Sequence, residues 1–320
     1  MKNFLINFWI FFLFFLKSSF SNDFAYITNQ LSNSVSVIDL DTYKVIKEIS
    51  VGLKPAGVAV TKNGKRIFVS NPESKEISVI DGLKLENIKN ISLGKGPLGI
   101  ALTKDDKFLL VADWYDHKVR VINTKTLKMV KEIPVGKSPA GIDTDFKNSK
   151  FYVANRDDHT VSVVSIKNFK EEKILKAGKR PFAVALSPDN QLLYVANVKS
   201  SDVSIFDVKN YKKIKTIKVG KSPYAIAFDQ EGTKAFVTNQ HENTISVIDT
   251  KKNINIKTIE IGEYPEGINF YKKNKEILIV NWFDSEVVVL DSQNLNVRKK
   301  IVVGEGPRGF GIFIGPNLIK

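Results

Sequence analysis

Leu193-Tyr194-Val195-Ala196-Asn197, then Asp202-Val203-Ser204-Ile205-Phe206-Asp207, then Val219-Gly220-Lys221-Ser222-Pro223: this stretch recurs seven times along the chain. Its Asn returns at Asn29, Asn71, Asn155, Asn197, Asn239 and Asn281, with Asp113 in the third place. Its Pro returns at Pro55, Pro97, Pro139, Pro181, Pro223, Pro265 and Pro307, and its Gly at Gly52, Gly94, Gly136, Gly178, Gly220, Gly262 and Gly304. Neighbours in each series differ by 42, with no insertion or deletion. A fixed period of this length, made of short strands, marks the blades of a propeller.

Each period carries four strand-like runs. In the fifth repeat these are Phe182 to Leu186, Leu192 to Asn197, Asp202 to Asp207 and Ile214 to Val219. The turn Ser187-Pro188-Asp189-Asn190 separates the first two, with Pro presetting φ and Asp and Asn bonding to nearby backbone. The third runs alternate apolar and small residues (Val35-Ser36-Val37, Ile77-Ser78-Val79, Val161-Ser162-Val163, Ile245-Ser246-Val247), the strand signal of period two. Branched side chains on one face and small ones on the other let sheets stack about 10 Å apart. Two residues after each Pro comes Gly57, Gly99, Gly141, Ala183, Ala225, Gly267 or Gly309. Such small residues suit a first strand at a crowded axis.

These features predict an all-β fold: a seven-bladed β-propeller of four-stranded 42-residue repeats. Seven periods of 42 make 294 residues, nearly all of 22–320, so no second domain is expected. The repeat begins with a second strand, Ala25-Tyr26-Ile27-Thr28, and ends with a spare first strand, Phe310 to Ile314. Three N-terminal strands plus one C-terminal strand therefore complete one blade and seal the ring, which removes an open edge.

Residues 4–16 read FLINFWIFFLFFL between Lys2 and Lys17. Thirteen residues fall short of the roughly 20 needed to span a bilayer. With Ser19-Phe20-Ser21 they fit a signal peptide, residues 1–21, cut near Asn22, and a periplasmic or secreted location. The chain has no Cys, so disulfides, a lipoprotein anchor and c-type haem attachment are excluded. The net charge of +14 spreads over every repeat, mostly as Lys, which is the pattern of a solvated surface.

Repeats built on Ala25-Tyr26-Ile27-Thr28-Asn29, Phe236-Val237-Thr238-Asn239 and Tyr194-Val195-Ala196-Asn197, each with an S-V-I-D-like strand and a V-G-x-x-P-x-G loop, resemble the YVTN family of β-propeller repeat proteins. The resemblance covers 22–320. It implies a secreted or periplasmic propeller without implying one activity. Relatives include cell-envelope proteins, a propeller that binds single-stranded DNA, propellers accompanying quinoprotein systems, and more distant haem-d1 and lactonase propellers.

Function must then come from positions where the copies differ. After the Asn series come Gln30, Pro72, Trp114, Arg156, Val198, Gln240 and Trp282; after the Pro series come Ala56, Leu98, Ala140, Phe182, Tyr224, Glu266 and Arg308. Both series are expected to open on one face, joined by Arg180, His241 and Tyr264. Trp114 and Trp282 are the two Trp besides Trp9. A mouth of aromatics, Arg and one Glu suits ligand recognition. Arg156, Arg180 and Arg308 suit a carboxylate or phosphate, and Glu266 is the one candidate base. His117 and His159 are 42 apart but read as turn residues, because Lys75, Ser201, Asn243 and Ser285 share their place. No metal or cofactor is implied. Lys95, Lys137, Lys179 and Lys221 in successive loops, near aromatics, keep single-stranded DNA or another polyanion open. Three readings result: an extracytoplasmic, monomeric binding or scaffold module; an enzyme or redox accessory (lactonase-like or quinoprotein-associated) at the same mouth; and a polyanion binder.

Overall fold

The computed structural model describes residues 23–145 and 150–319. The expected signal peptide, residues 1–21, lies outside them. Five of the seven sheets are four consecutive strands in sequence order. In the fifth blade the strands are Pro181–Leu186, Leu192–Asn197, Asp202–Asp207 and Lys213–Lys218, hydrogen-bonded in sequence order and all antiparallel. The outermost strands are largely exposed and each carries at least one Lys, with an inward apolar residue such as Ile217 in the Lys-rich KIKTIK. That is how an unpaired sheet edge is kept from pairing with another chain.

The repeated residues have identifiable duties. Tyr26, Phe68, Leu110, Tyr152, Tyr194, Phe236 and Leu278 share one place on the second strands, and all are fully buried between blades. The Asn that ends each second strand is buried and donates across to the third strand. Asn239 Nδ2 reaches Thr244 Oγ1 at 3.0 Å and Ser246 Oγ at 2.9 Å, and Asn29 does the same with Ser34 and Ser36. The V-G glycine makes room for this Asn: a Cβ on Gly304 would lie 2.5 Å from the Asn29 amide. The small residue after each Pro also has its expected role, since a Cβ on Gly99 would lie 1.9 Å from Ala140 O of the neighbouring inner strand.

The third blade departs from the pattern in a coupled way. Asp113 replaces Asn, and Arg120 stands where other blades have Ser36, Ser78, Ser162, Ser204 or Ser246. Arg120 forms a buried ion pair with Asp113 and reaches Asp116 and Glu132. Asp113 also accepts the amides of Lys95 and Gly96, at 2.8 and 3.1 Å. Asp113→Asn alone should cost about 1–2 kcal/mol, because it weakens a charge-assisted bond inside the blade. Asp113→Asn with Arg120→Ser should recover most of that loss, since it restores the pair other blades use. Urea titration of both single variants and the double gives the coupling. Arg120 holds Asp116 below the usual carboxylate range by hydrogen bonding, so the stability this adds is present at neutral pH. It is lost as pH falls below about 4, through the depressed value. The double variant should lack that part of the acid loss.

The ring closes as expected, three N-terminal strands and one C-terminal strand sharing one sheet, but the closing strand lies later than expected. One strand was expected from Phe310 to Ile314; two short ones form. Ile314–Pro316 pairs antiparallel with Asp23–Asn29, while Phe310–Ile312 pairs parallel with Gly57–Val60 of the next blade. Elsewhere Leu186 faces Leu193 and Phe270 faces Ile277, which by the 42-residue period puts Ile312 opposite Ala25. Instead Ile314 faces Ala25, a slip of two residues. Pro307 still meets Asn29, and Gly309 N still donates to Thr28 Oγ1, so the slip arises after Gly309. Gly309 and Gly311 permit it, with φ of 56° and 120° in the region glycine favours; the counterparts of Gly309 lack positive φ, and those of Gly311 (Ala59, Ala101, Asp143, Ala185, Ala227 and Asn269) all carry side chains. The two extra residues buckle into the central channel, carrying Phe310 with them. Phe313, fully buried, then anchors the return through Asn269 Oδ1 and Tyr26 N.

Candidate ligand-binding face

Antiparallel pairing puts the loop after each second strand beside the loop before each first strand. Trp114 N donates to Gly96 O at 2.9 Å, Val198 N to Arg180 O at 2.9 Å, and Trp282 N to Tyr264 O at 3.0 Å. The two variable series therefore adjoin around one end of the ring. The ten candidate side chains fall into three groups there.

The first group is buried at the channel. Phe182, Tyr224 and Phe310 meet ring to ring, with centroids 4.4, 5.1 and 5.5 Å apart. Phe310 reaches across from the closing segment toward Gly99 and Gly141, so the channel is bridged at this level. Glu266, 2% exposed, accepts from Arg308 Nε at 2.6 Å and from Gln240 Nε2 at 2.7 Å. Arg308 also bonds the Tyr224 hydroxyl and lies over its ring at 5.7 Å. Burial opposes the charge on Arg308, yet Glu266 and Tyr224 push its pKa above the usual range. Burial raises the Tyr224 phenol far above its ordinary value, against the pull of Arg308. Glu266 was the candidate base, and Arg308 a candidate grip for an anion. The two grip one another, with both carboxylate oxygens holding donors.

The second group lies further out. The Arg156 guanidinium lies 5.4 Å from the Trp114 ring centroid, and Trp114 is 6.3 Å from Phe182. Arg156 pairs with Asp157 at 2.9 Å, and exposed Arg180 comes within 3.8 Å of the same carboxylate. Although burial works the other way, Ser138 and the two Arg hold Asp157 below the usual carboxylate range.

The third group is an aromatic ridge across the sixth and seventh blades. His241 meets Tyr264 edge-on at 5.2 Å, and Tyr264 meets Trp282 at 6.0 Å. Trp282 is fixed by its indole N–H donating to Gln30 Oε1 at 3.1 Å. Phe283 stands against both Tyr264 and Trp282, at 5.1 and 4.7 Å, and is 60% exposed.

Three members of these groups, Phe283, Gln240 and Phe310, were not among the candidates, nor was exposed Tyr115 on the same face. Tyr115, 66% exposed, and Phe283 occupy the place of His241, one step beyond the series that holds the two Trp. Shifting the comparison by one residue finds both. Gln240 stood in the series but shows its role only through Glu266. Phe310 occupies a place held elsewhere by Val58, Ile100, Ile142, Val184, Ile226 and Ile268, so its aromatic ring was the signal.

His117 and His159 have left-handed φ at their turns, and each ring Nδ1 accepts an amide from the next loop: Ser138 N at 3.2 Å and Arg180 N at 3.1 Å. Asn33 and Asn243 do the same with Lys54 and Tyr264. Among the described residues, no group of three or more His, Cys, Asp or Glu is placed to hold a metal ion.

A family model described as "YNCE-like beta-propeller" matches residues 19–103, 63–148 and 146–240. No curated protein matches the chain. Among solved structures, a chain of Kuenenia stuttgartiensis hydrazine synthase is similar with TM-score 0.78 and 19% identity, covering 85% of this chain and 92% of that one. A functionally unknown protein from Desulfotomaculum acetoxidans DSM 771 is similar with TM-score 0.79 and 18% identity, covering 92% and 99%. At these identities the likeness is one of fold.

Proposed function

The chain belongs to the YNCE-like beta-propeller family, and on that premise we propose a non-enzymatic binding module that takes a ligand or protein partner on the face carrying Trp114 and Trp282. The observation that carries this reading is the ridge His241–Tyr264–Trp282–Phe283. A ring as exposed as Phe283, held in place by two other aromatics, offers apolar contact area at little entropic cost. The repeat motif supports a narrower place among YVTN-type propellers. The apolar run 4–16 between Lys2 and Lys17 supports export, with 22–320 as the mature, monomeric module. N-terminal sequencing of the exported protein would check the cut near Asn22. Among the described residues, no helix is long and apolar enough to cross a membrane.

Trp114 and Trp282 are the two Trp of the proposed mature module, so its indole fluorescence reports this face directly. A bound ligand should shift that emission. Tyr264→Ala with Phe283→Ala should weaken binding about tenfold or more, the loss of two aromatic contacts. The urea midpoint should barely move for Phe283→Ala. A ligand that shifts the emission yet binds the double variant unchanged would place recognition elsewhere.

One observation favours a polyanion as that ligand. Lys95, Lys137, Lys179 and Lys221 are exposed in loops of consecutive blades on the same face as Tyr115 and Phe283, although Lys95 also pairs with Asp116 at 3.1 Å. Four phosphate contacts to a single strand should weaken binding of oligo-dT about fiftyfold between roughly 50 and 200 mM salt. A flat salt response would exclude this form of the reading.

A further inference from the structure

The channel bridged by Phe310 on the aromatic face opens on the opposite one, and we infer that this opening is a second binding site, for the apolar tail of a small amphipathic molecule. The space there is a cavity of about 350 Å³. That is the low end of ligand pockets, which run from about 300 to 1,000 Å³. Phe310 and Gly311 lie on one side of it, and Ile100, Leu102, Ile142, Val184 and Ile226 from successive inner strands line its walls. Ile312, carried into the channel by the two-residue slip, is 63% exposed. A large apolar side chain left bare inside a concave space is a surface for another apolar group to cover.

Polar side chains in the wall are already engaged. Asn269 Nδ2 donates to Gly311 O at 2.8 Å and its Oδ1 accepts from Phe313 N at 2.9 Å. Thr144 Oγ1 donates to Leu102 O at 3.1 Å. The charges among the lining residues have both signs. Lys104 lies 4.0 Å from Asp143, and Asp106 accepts the Lys62 amide at 2.8 Å. Asp143 also accepts the Leu186 amide at 2.8 Å. Mixed charges favour neither an anionic nor a cationic head, so the tail supplies the recognition. The inner strands Pro97–Leu102, Pro139–Asp145, Pro181–Leu186 and Pro223–Phe228 end their sheets, leaving backbone edges toward the channel for a hydroxyl or amide beside the tail.

Calorimetric titration with 1-octanol tests this. Octanol should bind, and each methylene removed on the way to 1-pentanol should weaken binding about fourfold, from roughly 0.8 kcal/mol per buried methylene. Octanoate and octylamine should bind within about threefold of octanol, because exposed ion pairs contribute little. Ile312→Asp should weaken octanol about tenfold or more while leaving the urea midpoint in place, since that side chain is largely exposed. Tyr264→Ala, on the other face, should leave octanol binding unchanged. Absence of octanol binding, no dependence on chain length, binding of octanoate alone, or full binding by Ile312→Asp would each overturn the assignment.

Discussion

A chain ending at Arg308 should not fold cooperatively. Removing 309–320 takes away Phe310 and the fully buried Phe313, along with the strand Ile314–Pro316. The edge of Asp23–Asn29 is then left open beside Phe24 and Tyr26, both now buried. Losing a core Phe alone costs about 3–5 kcal/mol, and two are lost here together with a row of strand pairing. That approaches the whole stability of an ordinary domain, about 5–15 kcal/mol. The exposed strand is also a template for pairing with other chains. Size-exclusion chromatography should show aggregation, and urea titration should show no sharp transition. Phe313→Ala is the milder companion: it keeps both closing strands and should cost about 3–5 kcal/mol with cooperativity preserved. A truncated chain that stays monomeric with a urea midpoint within about 0.5 M of the full chain would show that the closing segment is dispensable.

Arg308→Ala should cost about 3–5 kcal/mol, because it leaves the Glu266 carboxylate buried with only Gln240 and without its counter-charge. Adding Glu266→Gln should restore most of the stability, since the uncharged amide keeps a hydrogen-bonding partner in Gln240. Urea titrations of both variants near neutral pH check this. If Arg308→Ala is as stable as the parent at neutral pH, the Arg308–Glu266–Tyr224 network is not holding the channel end together. If Glu266→Gln fails to rescue it, the loss comes from packing of the Arg308 stem rather than from charge.

Much of this protein was legible without coordinates because a propeller writes its geometry as a period. Strand order, blade count and the face shared by the variable loops all follow from a series of Asn, Gly and Pro that never drifts. What the period hides is any departure inside one copy. The two-residue slip after Gly309 leaves the numbering intact, so Phe310 reads as one more core residue of a first strand. The Asp113–Arg120 exchange was half visible, as an Asn replaced by Asp, but its partner lies seven residues on, across the hairpin.

Sequence alone determined the repeat, the ring and the set of side chains gathered at one end, since a strand's alternation and a loop's position follow from local chemistry. Tertiary structure alone decided which of those side chains stay exposed. Phe182, Tyr224, Glu266 and Arg308 turn inward and satisfy one another, because seven blades bring to the axis residues far apart in the chain. Arg180, His241, Tyr115 and Phe283 remain exposed, and Trp114, Arg156, Tyr264 and Trp282 are half-buried beside them. Exposure is a property of the closed ring, and no single repeat contains it.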